Sequence, residues 1–135
     1  MKVCRPLIIP KYNFTSTRAQ IRFATREQGV SFNDHPQKIH AQFYCHYDGY
    51  PEGLGVEIAE SLTKYKKIMH WEIENLDAKH GDLEYIYYVW QHPMKDTWIS
   101  IFAVKPFEDS SGECIFVGTP QKLLDKYKTN TNYDG

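Results

Sequence analysis

The eleven residues CHYDGYPEGLG, from Cys45 to Gly55, stand apart chemically from the rest of the chain. They contain one imidazole, two carboxylates, two phenols and three glycines. His46 and Asp48 are two residues apart, so on an extended strand their side chains lie on the same face. Such a pair could act as general acid and base, or could bind a divalent metal together with Glu52.

The same segment also fits a structural role, which we favour. Asp48 could accept backbone N–H groups or cap a helix, while His46 fixes the joint through a hydrogen bond. Two ligand-type residues do not make a metal site, and Gly53 and Gly55 complete neither a P-loop nor a dinucleotide fingerprint. We therefore predict no metal and no cofactor, and keep a catalytic His46–Asp48 pair as the alternative.

Two alternating segments predict neighbouring β-strands on the N-terminal side of this joint. Between Arg18 and Ala24, two arginines and a glutamine alternate with apolar residues, and His40–Tyr47 alternates in the same way. The segment Glu27–Pro36 is rich in Gly, Asn, Asp and Ser, which is typical of a loop. We expect a hairpin with a long connection.

A helix is predicted after the turn signals Asp48-Gly49 and Pro51-Glu52-Gly53. Its apolar residues recur at spacings of four and three along one side: Leu54, Ile58, Leu62, Tyr65 and Met69. The segment Trp71–His80 suits both a strand and a further helical turn, so we assign it as irregular.

Three apolar segments in the second half predict an antiparallel meander. Leu83–Trp90 is apolar on both faces, as a central strand would be, and Trp98–Val104 and Cys114–Val117 follow it. Thr119-Pro120 is typical of a helix start, with an N-cap residue followed by proline at the first helical position. The apolar side of this second helix carries Leu123, Leu124 and Tyr127.

These elements predict an α+β fold with an antiparallel sheet of about five strands and helices mainly on one face. The order is strand, strand, helix, three strands, helix. We expect an N-terminal arm over residues 1–15, a single domain over residues 16–128 and a frayed tail over residues 129–135.

The sheet face turned away from the helices is a second surface of interest. If the helices cover only one face, the other carries polar and aromatic side chains: Arg22, Tyr44, His46, Tyr88 and Trp90. A partly aromatic open face is typical of a dimer interface or of the floor of a ligand site.

Two short segments carry a resemblance to known proteins: Ser16-Thr17-Arg18-Ala19 and His46-Tyr47-Asp48-Gly49-Tyr50-Pro51. They resemble segments of a family of small uncharacterised proteins found in bacteria, phages and mobile elements. Ser16-Thr17-Arg18-Ala19 is similar to the segment that opens the first strand in that family. His46-Tyr47-Asp48-Gly49-Tyr50-Pro51 is similar to the segment that ends its second strand, where tryptophan is usual at the position of Tyr47. The resemblance covers roughly residues 16 to 62 and implies a shared architecture and a mobile-element origin, but no reaction.

Charge and composition disfavour several classes of protein. Sixteen Lys and Arg balance seventeen Asp and Glu among 135 residues, so there is no basic field to attract nucleic acid. The tyrosines of Leu83–Trp90 could stack bases, but no basic residue accompanies them on that strand. Apolar runs are far shorter than a membrane span, and three separated cysteines suit reduced, buried side chains. We expect a cytoplasmic protein that contacts no membrane.

The function predicted from these residues is a small non-enzymatic binding or interaction module. Its partner would be a protein or a small polar ligand, and a second copy of the chain is one such protein. The alternative is a small hydrolase or transferase that uses His46 and Asp48. The predicted binding residues lie around the joint between strand and helix: Arg18, Tyr44, His46, Asp48, Tyr50 and Glu52.

Overall fold

A computed structural model describes residues 16–64, 71–108 and 112–128 of the chain. The described residues form six strands, a five-residue π-helical turn at Pro51–Gly55 and two α-helices. In chain order these are β1 (Arg18–Thr25), β2 (Lys38–Cys45), α1 (Val56–Thr63), β3 (Glu72–Glu74), β4 (Leu83–Gln91), β5 (Thr97–Ala103), β6 (Glu113–Gly118) and α2 (Pro120–Tyr127). The N-terminal arm and the tail predicted from the sequence lie outside the described residues.

The strands form one sheet in the order β3-β2-β1-β4-β5-β6. The predicted α+β class, the β1–β2 hairpin and the β4–β5–β6 meander are confirmed. The prediction of about five antiparallel strands is corrected in two respects. The sheet has a sixth strand, β3, which pairs with β2 inside the segment assigned as irregular. The sheet is also mixed, because β1 and β4 run parallel.

The strand directions determine the path of the chain between β3 and β4. Both β3 and β1 are antiparallel to β2, so β3 points in the same direction as β4. The connection, residues 75–82, must therefore carry the chain back across β2 and β1 before β4 begins. This crossing segment lies against the sheet, where the Ala78 carbonyl accepts hydrogen bonds from Gln20 and Gln42 at 3.4 and 3.3 Å.

Both helices pack on the same face of the sheet, as the sequence predicts. The core between helices and sheet consists of apolar side chains with little or no solvent exposure: Ala19, Ile21, Cys45, Leu54, Ile58, Ala59, Tyr87, Val89, Ile99, Ile101, Leu123 and Leu124. The helices also contact each other where Lys128 Nζ meets Glu60 Oε2 at 2.6 Å. No helix within the described ranges has the length and apolar character needed to cross a bilayer.

The two helix predictions differ in accuracy. The start of α2 is confirmed, since the Thr119 hydroxyl accepts the backbone N–H of Lys122 at 3.2 Å. Helix α1 ends at Thr63, earlier than predicted, and Tyr65 and Met69 lie outside the described residues. The hydroxyls of Ser61 and Thr63 donate to carbonyls of the preceding turn, which favours ending a helix there.

Long connections cover the second face of the sheet, which the sequence predicts to be open. The β1–β2 connection, residues 26–37, stacks the His35 ring on Phe102 with 3.8 Å between ring centroids. Tyr88 and Trp90 are only 0% and 2% exposed. These two aromatic side chains therefore belong to a second core and not to an open surface.

Candidate functional site

His46 and Asp48 have different hydrogen-bond partners. His46 Nε2 lies 3.3 Å from Glu72 Oε1, and the His46 ring packs edge-on against Tyr44. The Asp48 carboxylate accepts a long hydrogen bond of 3.4 Å from the Tyr50 hydroxyl. These contacts give each residue a local partner. A joint acid–base function for the two stays a prediction.

The backbone of the joint is fastened to the sheet at Gly49. Its N–H donates to the Thr17 carbonyl at 3.0 Å, and its carbonyl accepts the buried Tyr87 hydroxyl at 2.6 Å. A Cβ at this position would lie 2.8 Å from Ala19 Cβ and 2.9 Å from the Thr17 oxygen, so only glycine permits this approach. Burial raises the pKa of Tyr87 well above its ordinary value.

Arg18 and Tyr44, both predicted binding residues, meet at Asp82. Arg18 Nη1 lies 3.0 Å from Asp82 Oδ2, and the Tyr44 hydroxyl donates to both carboxylate oxygens at 3.1 and 3.2 Å. The His80 ring stacks on Tyr44 with 3.8 Å between centroids. Burial, with the bond to Asp82, raises the pKa of Tyr44 to about 12. The sequence singled out neither Asp82 nor His80 as a site residue.

The remaining predicted residues lie at the start of the π-helical turn. Tyr50 is half-buried, and burial followed by the charge of Asp48 raises the pKa of its hydroxyl. Glu52 is exposed in the first turn. Binding of a partner by the six predicted residues remains a prediction.

A polar network on the second face of the sheet centres on Arg22. Arg22 Nε donates to Gln42 Oε1 at 3.0 Å, and Arg22 Nη2 donates to Gln20 Oε1 at 2.9 Å. The amide nitrogens of both glutamines then donate to Glu74 Oε2, each at 2.9 Å. The two glutamines thus bridge the guanidinium and the carboxylate, and their amide orientations are set by donors on one side and acceptors on the other.

The third contact of Arg22 is with Tyr88. Arg22 Nη1 donates to the Tyr88 hydroxyl at 2.7 Å, and that hydroxyl lies 2.6 Å from His35 Nδ1. Burial raises the pKa of Tyr88, although the charge of Arg22 acts in the opposite direction. The three hydrogen-bond partners that Arg22 has in the described part of the chain are therefore neutral groups at pH 7.

The crossing segment is bonded to this network through Glu74. The second oxygen of Glu74 accepts a hydrogen bond of 2.7 Å from His80 Nε2, and the carboxylate side chain is only 14% exposed. Glu74 at the end of β3 is thereby joined to His80 near the end of the crossing segment. This fixes one wall of the cleft that Arg22 lines.

The cleft beside this network has a volume of about 490 Å³. We call it the Arg22 cleft. Gln20, Arg22 and Ile86 form its sheet side, and residues 78–81 and 104–108 form its two walls. It is lined by three cations, one carboxylate, one imidazole and several apolar groups: Arg22, Lys79, Lys105, Glu108, His80, Leu83, Val104 and Phe107.

Arg22 has unused capacity to bind an anion. A guanidinium carries five N–H groups, and the three hydrogen bonds above leave one on each terminal nitrogen. Among residues 16–64, 71–108 and 112–128, no carboxylate lies within 4.0 Å of Arg22. A half-buried guanidinium of this kind favours a carboxylate or phosphate as its partner.

The part of the chain that the structure describes contains no group of three His, Cys, Asp or Glu side chains placed to hold a metal ion. Comparison of the chain with protein-family models, curated proteins and solved structures found no match.

The sequence pointed only partly to the Arg22 cleft. It placed Arg18, Gln20 and Arg22 on one face of β1 and Tyr44 on the matching face of β2. The available signal was this row of polar residues on two adjacent strands. Lys79 and Lys105 could not be found in this way because they lie in connections whose position depends on the crossing segment.

Proposed function

We propose that the protein is a non-enzymatic binding module that holds a small organic anion in the Arg22 cleft. The observation that carries the proposal is the guanidinium of Arg22, which lines the cleft and, among the residues that the structure describes, bonds only neutral groups. Its side chain is already held in one orientation by Gln20, Gln42 and Tyr88. Little conformational freedom would be lost on binding, and such preorganisation favours affinity.

The size and composition of the cleft support the same proposal. Its volume of about 490 Å³ falls within the range of about 300–1,000 Å³ that small-ligand sites occupy. Lys79 and Lys105 on its walls are exposed, so they would attract an anion before contact. Once inside, a carboxylate or phosphate could take the two remaining N–H groups of Arg22 in a bidentate arrangement.

We propose binding rather than catalysis because the cleft is lined by cations and apolar groups, and its imidazole, that of His80, is already hydrogen-bonded to Glu74. His80 Nε2 must donate to Glu74, since an ionised carboxylate only accepts hydrogen bonds. With the ring also stacked on Tyr44, His80 serves to position the crossing segment.

The test is an NMR titration of the full chain with methyl phosphate, a probe with little apolar surface. A Lys79→Gln/Lys105→Gln variant removes both wall cations, and both side chains are exposed, so the fold should persist. Its matched control, Lys122→Gln/Lys126→Gln, removes two exposed cations from α2 on the opposite side of the sheet. We expect the cleft variant to weaken binding about fivefold, on the scale of partly exposed charge interactions, and the control to bind as the parent does.

Arg22→Met provides the second arm of this test. We expect it to weaken methyl phosphate binding by more than about tenfold, since a hydrogen bond to a charged group contributes about 1.5–3 kcal/mol. Its fold is checked by circular dichroism because the variant removes three internal bonds. Equal weakening of binding by the cleft and control variants would overturn the proposal, as would the absence of saturable binding of every small organic anion tested, up to about 10 mM, to the parent protein.

A further inference from the structure

Phe107 is an exposed aromatic residue at the mouth of the Arg22 cleft. It is 83% exposed, the largest exposure among the large apolar side chains of the described residues. Phe107 nevertheless lines the cleft, together with Lys105 and Glu108 from the same turn, and its ring lies beside Gly81, another lining residue. An aromatic side chain in this position has one part against the cleft and most of its surface open to solvent.

The backbone holds Phe107 firmly in this position. The Phe107 N–H donates to the Gly81 carbonyl at 2.6 Å, which joins the two walls of the cleft. Its φ of 63° is in the left-handed region, which bulky residues adopt rarely. The Phe107 ring lies beside Gly81, where an added Cβ would be 3.4 Å from Phe107 Cδ1, an ordinary contact distance.

Apolar side chains continue from Phe107 into the cleft. Leu83 and Ile86 are buried and Val104 is half-buried, and all three line the cleft with Arg22. A ligand with its acidic group on Arg22 would therefore have apolar surface beside it. Rings that stack with an offset or meet edge to face gain affinity beyond the area that they bury.

We infer that Phe107 determines the ligand class of the Arg22 cleft, selecting anions that carry an aromatic ring over anions of equal charge without one. This inference rests on the proposed function and deepens it. The ligand class is an aromatic carboxylate or an aryl phosphate, with the acidic group on Arg22 and the ring against Phe107. Specificity arises because the anion contact is common to both kinds of ligand, while the ring contact is made by only one.

The experiment compares phenyl phosphate with methyl phosphate, and benzoate with acetate, by NMR titration of the full chain. Each pair shares an acidic group and differs in the ring. We expect the parent protein to bind the aromatic member about tenfold more tightly, on the scale of one aromatic contact with its buried area. Phe107→Ala should reduce this ratio to about twofold or less, whereas Phe107→Tyr, which keeps the ring, should preserve most of it.

Met94→Ala is the matched control, because Met94 is 75% exposed in the β4–β5 turn and does not line the cleft. It should leave the ratio unchanged. If the parent binds both members of each pair equally, or if Phe107→Ala keeps the full preference, the inference is overturned while the Arg22 site stands. If neither member of either pair binds, both the site and the inference are overturned.

Discussion

Arg22 and Glu74 are joined through two glutamines rather than by direct contact. Gln20 and Gln42 each accept a hydrogen bond from the guanidinium and donate one to the same carboxylate oxygen. The charge of Glu74 is thereby satisfied by amides and by His80, while part of the guanidinium stays available. The same network thus holds the crossing segment against the sheet and orients the guanidinium of Arg22 in the cleft.

Replacement of Glu74 tests how much this network contributes to the stability of the fold. In Glu74→Ala, the amide groups of Gln20 and Gln42 lose their carboxylate acceptor in a largely buried place. We expect a loss of about 2 kcal/mol in the free energy of unfolding, the scale of unsatisfied buried polar groups. Urea denaturation measures it.

Glu72→Ala is the control for Glu74→Ala, since both residues are in β3. The Glu72 side chain is 64% exposed, and its bond to His46 is 3.3 Å long. We expect a change below about 0.5 kcal/mol, as for other exposed pairs. Equal losses for the two variants would mean that the network contributes no stability of its own.

The hydroxyl of Tyr44 predicts a pH dependence at the alkaline end. Its pKa in the folded chain is about 12, above the ordinary value of 10.0, because of burial and the bond to Asp82. The folded state therefore retains a proton that the unfolded state loses. The resulting stabilisation is fully present below about pH 10 and disappears as pH rises towards 12.

Tyr44→Phe isolates this contribution from those of the other tyrosines. The difference in unfolding free energy between parent and variant should shrink as the pH rises from the ordinary tyrosine pKa of 10.0 to about 12, the pKa of Tyr44 in the folded chain. Urea denaturation at several pH values gives this difference. A difference that stays constant over the whole range would show that the hydroxyl of Tyr44 titrates normally in the folded protein.

The joint between β2 and the π-helical turn predicts a strong preference for glycine at position 49. An added Cβ would meet Ala19 and the Thr17 carbonyl at under 3.0 Å, and neither atom is on a flexible side chain. We expect Gly49→Ala to lower the free energy of unfolding by about 2 kcal/mol or more through overpacking. Thermal unfolding monitored by circular dichroism is a sufficient measurement.

Gly81→Ala is the comparison for this variant. Its added Cβ would meet only the ring of Phe107, at 3.4 Å, which is an ordinary contact with a side chain at the surface. We expect a change of less than about 1 kcal/mol. If Gly49→Ala were tolerated as well as Gly81→Ala, the joint would not be fastened to β1 as described.

Local patterns predicted most of the elements, because their causes lie within a few residues. Alternation in β1 and β2 identified both faces of each strand, and the Thr119 hydroxyl and the proline after it marked the start of α2. The strand β3 escaped prediction because it has three residues and its Ile73 is 74% exposed. In so short a segment, the alternation typical of a strand could not be distinguished from a further helical turn.

The site depends on contacts that no local pattern contains. Tyr44 was predicted as a binding residue, but its partner Asp82 is 38 positions away. Gln42 and Glu74 are separated by 32 positions. The Gln42–Glu74 contact depends on the pairing of β3 with β2, and the Tyr44–Asp82 contact depends on the crossing segment, which returns the chain to β4. The sequence could indicate polar residues on the strands, but not what covers them.

The most direct test of the central claim is the side-chain NMR signal of Arg22 during a titration with phenyl phosphate. If the anion binds in the Arg22 cleft, the Nε–Hε resonance of Arg22 and the backbone amides of Lys79, Gly81 and Lys105 should shift together along one saturable curve. The backbone amide resonances of α2 should not shift. Shifts confined to α2, or an Arg22 resonance that does not move while phenyl phosphate binds, would contradict the account.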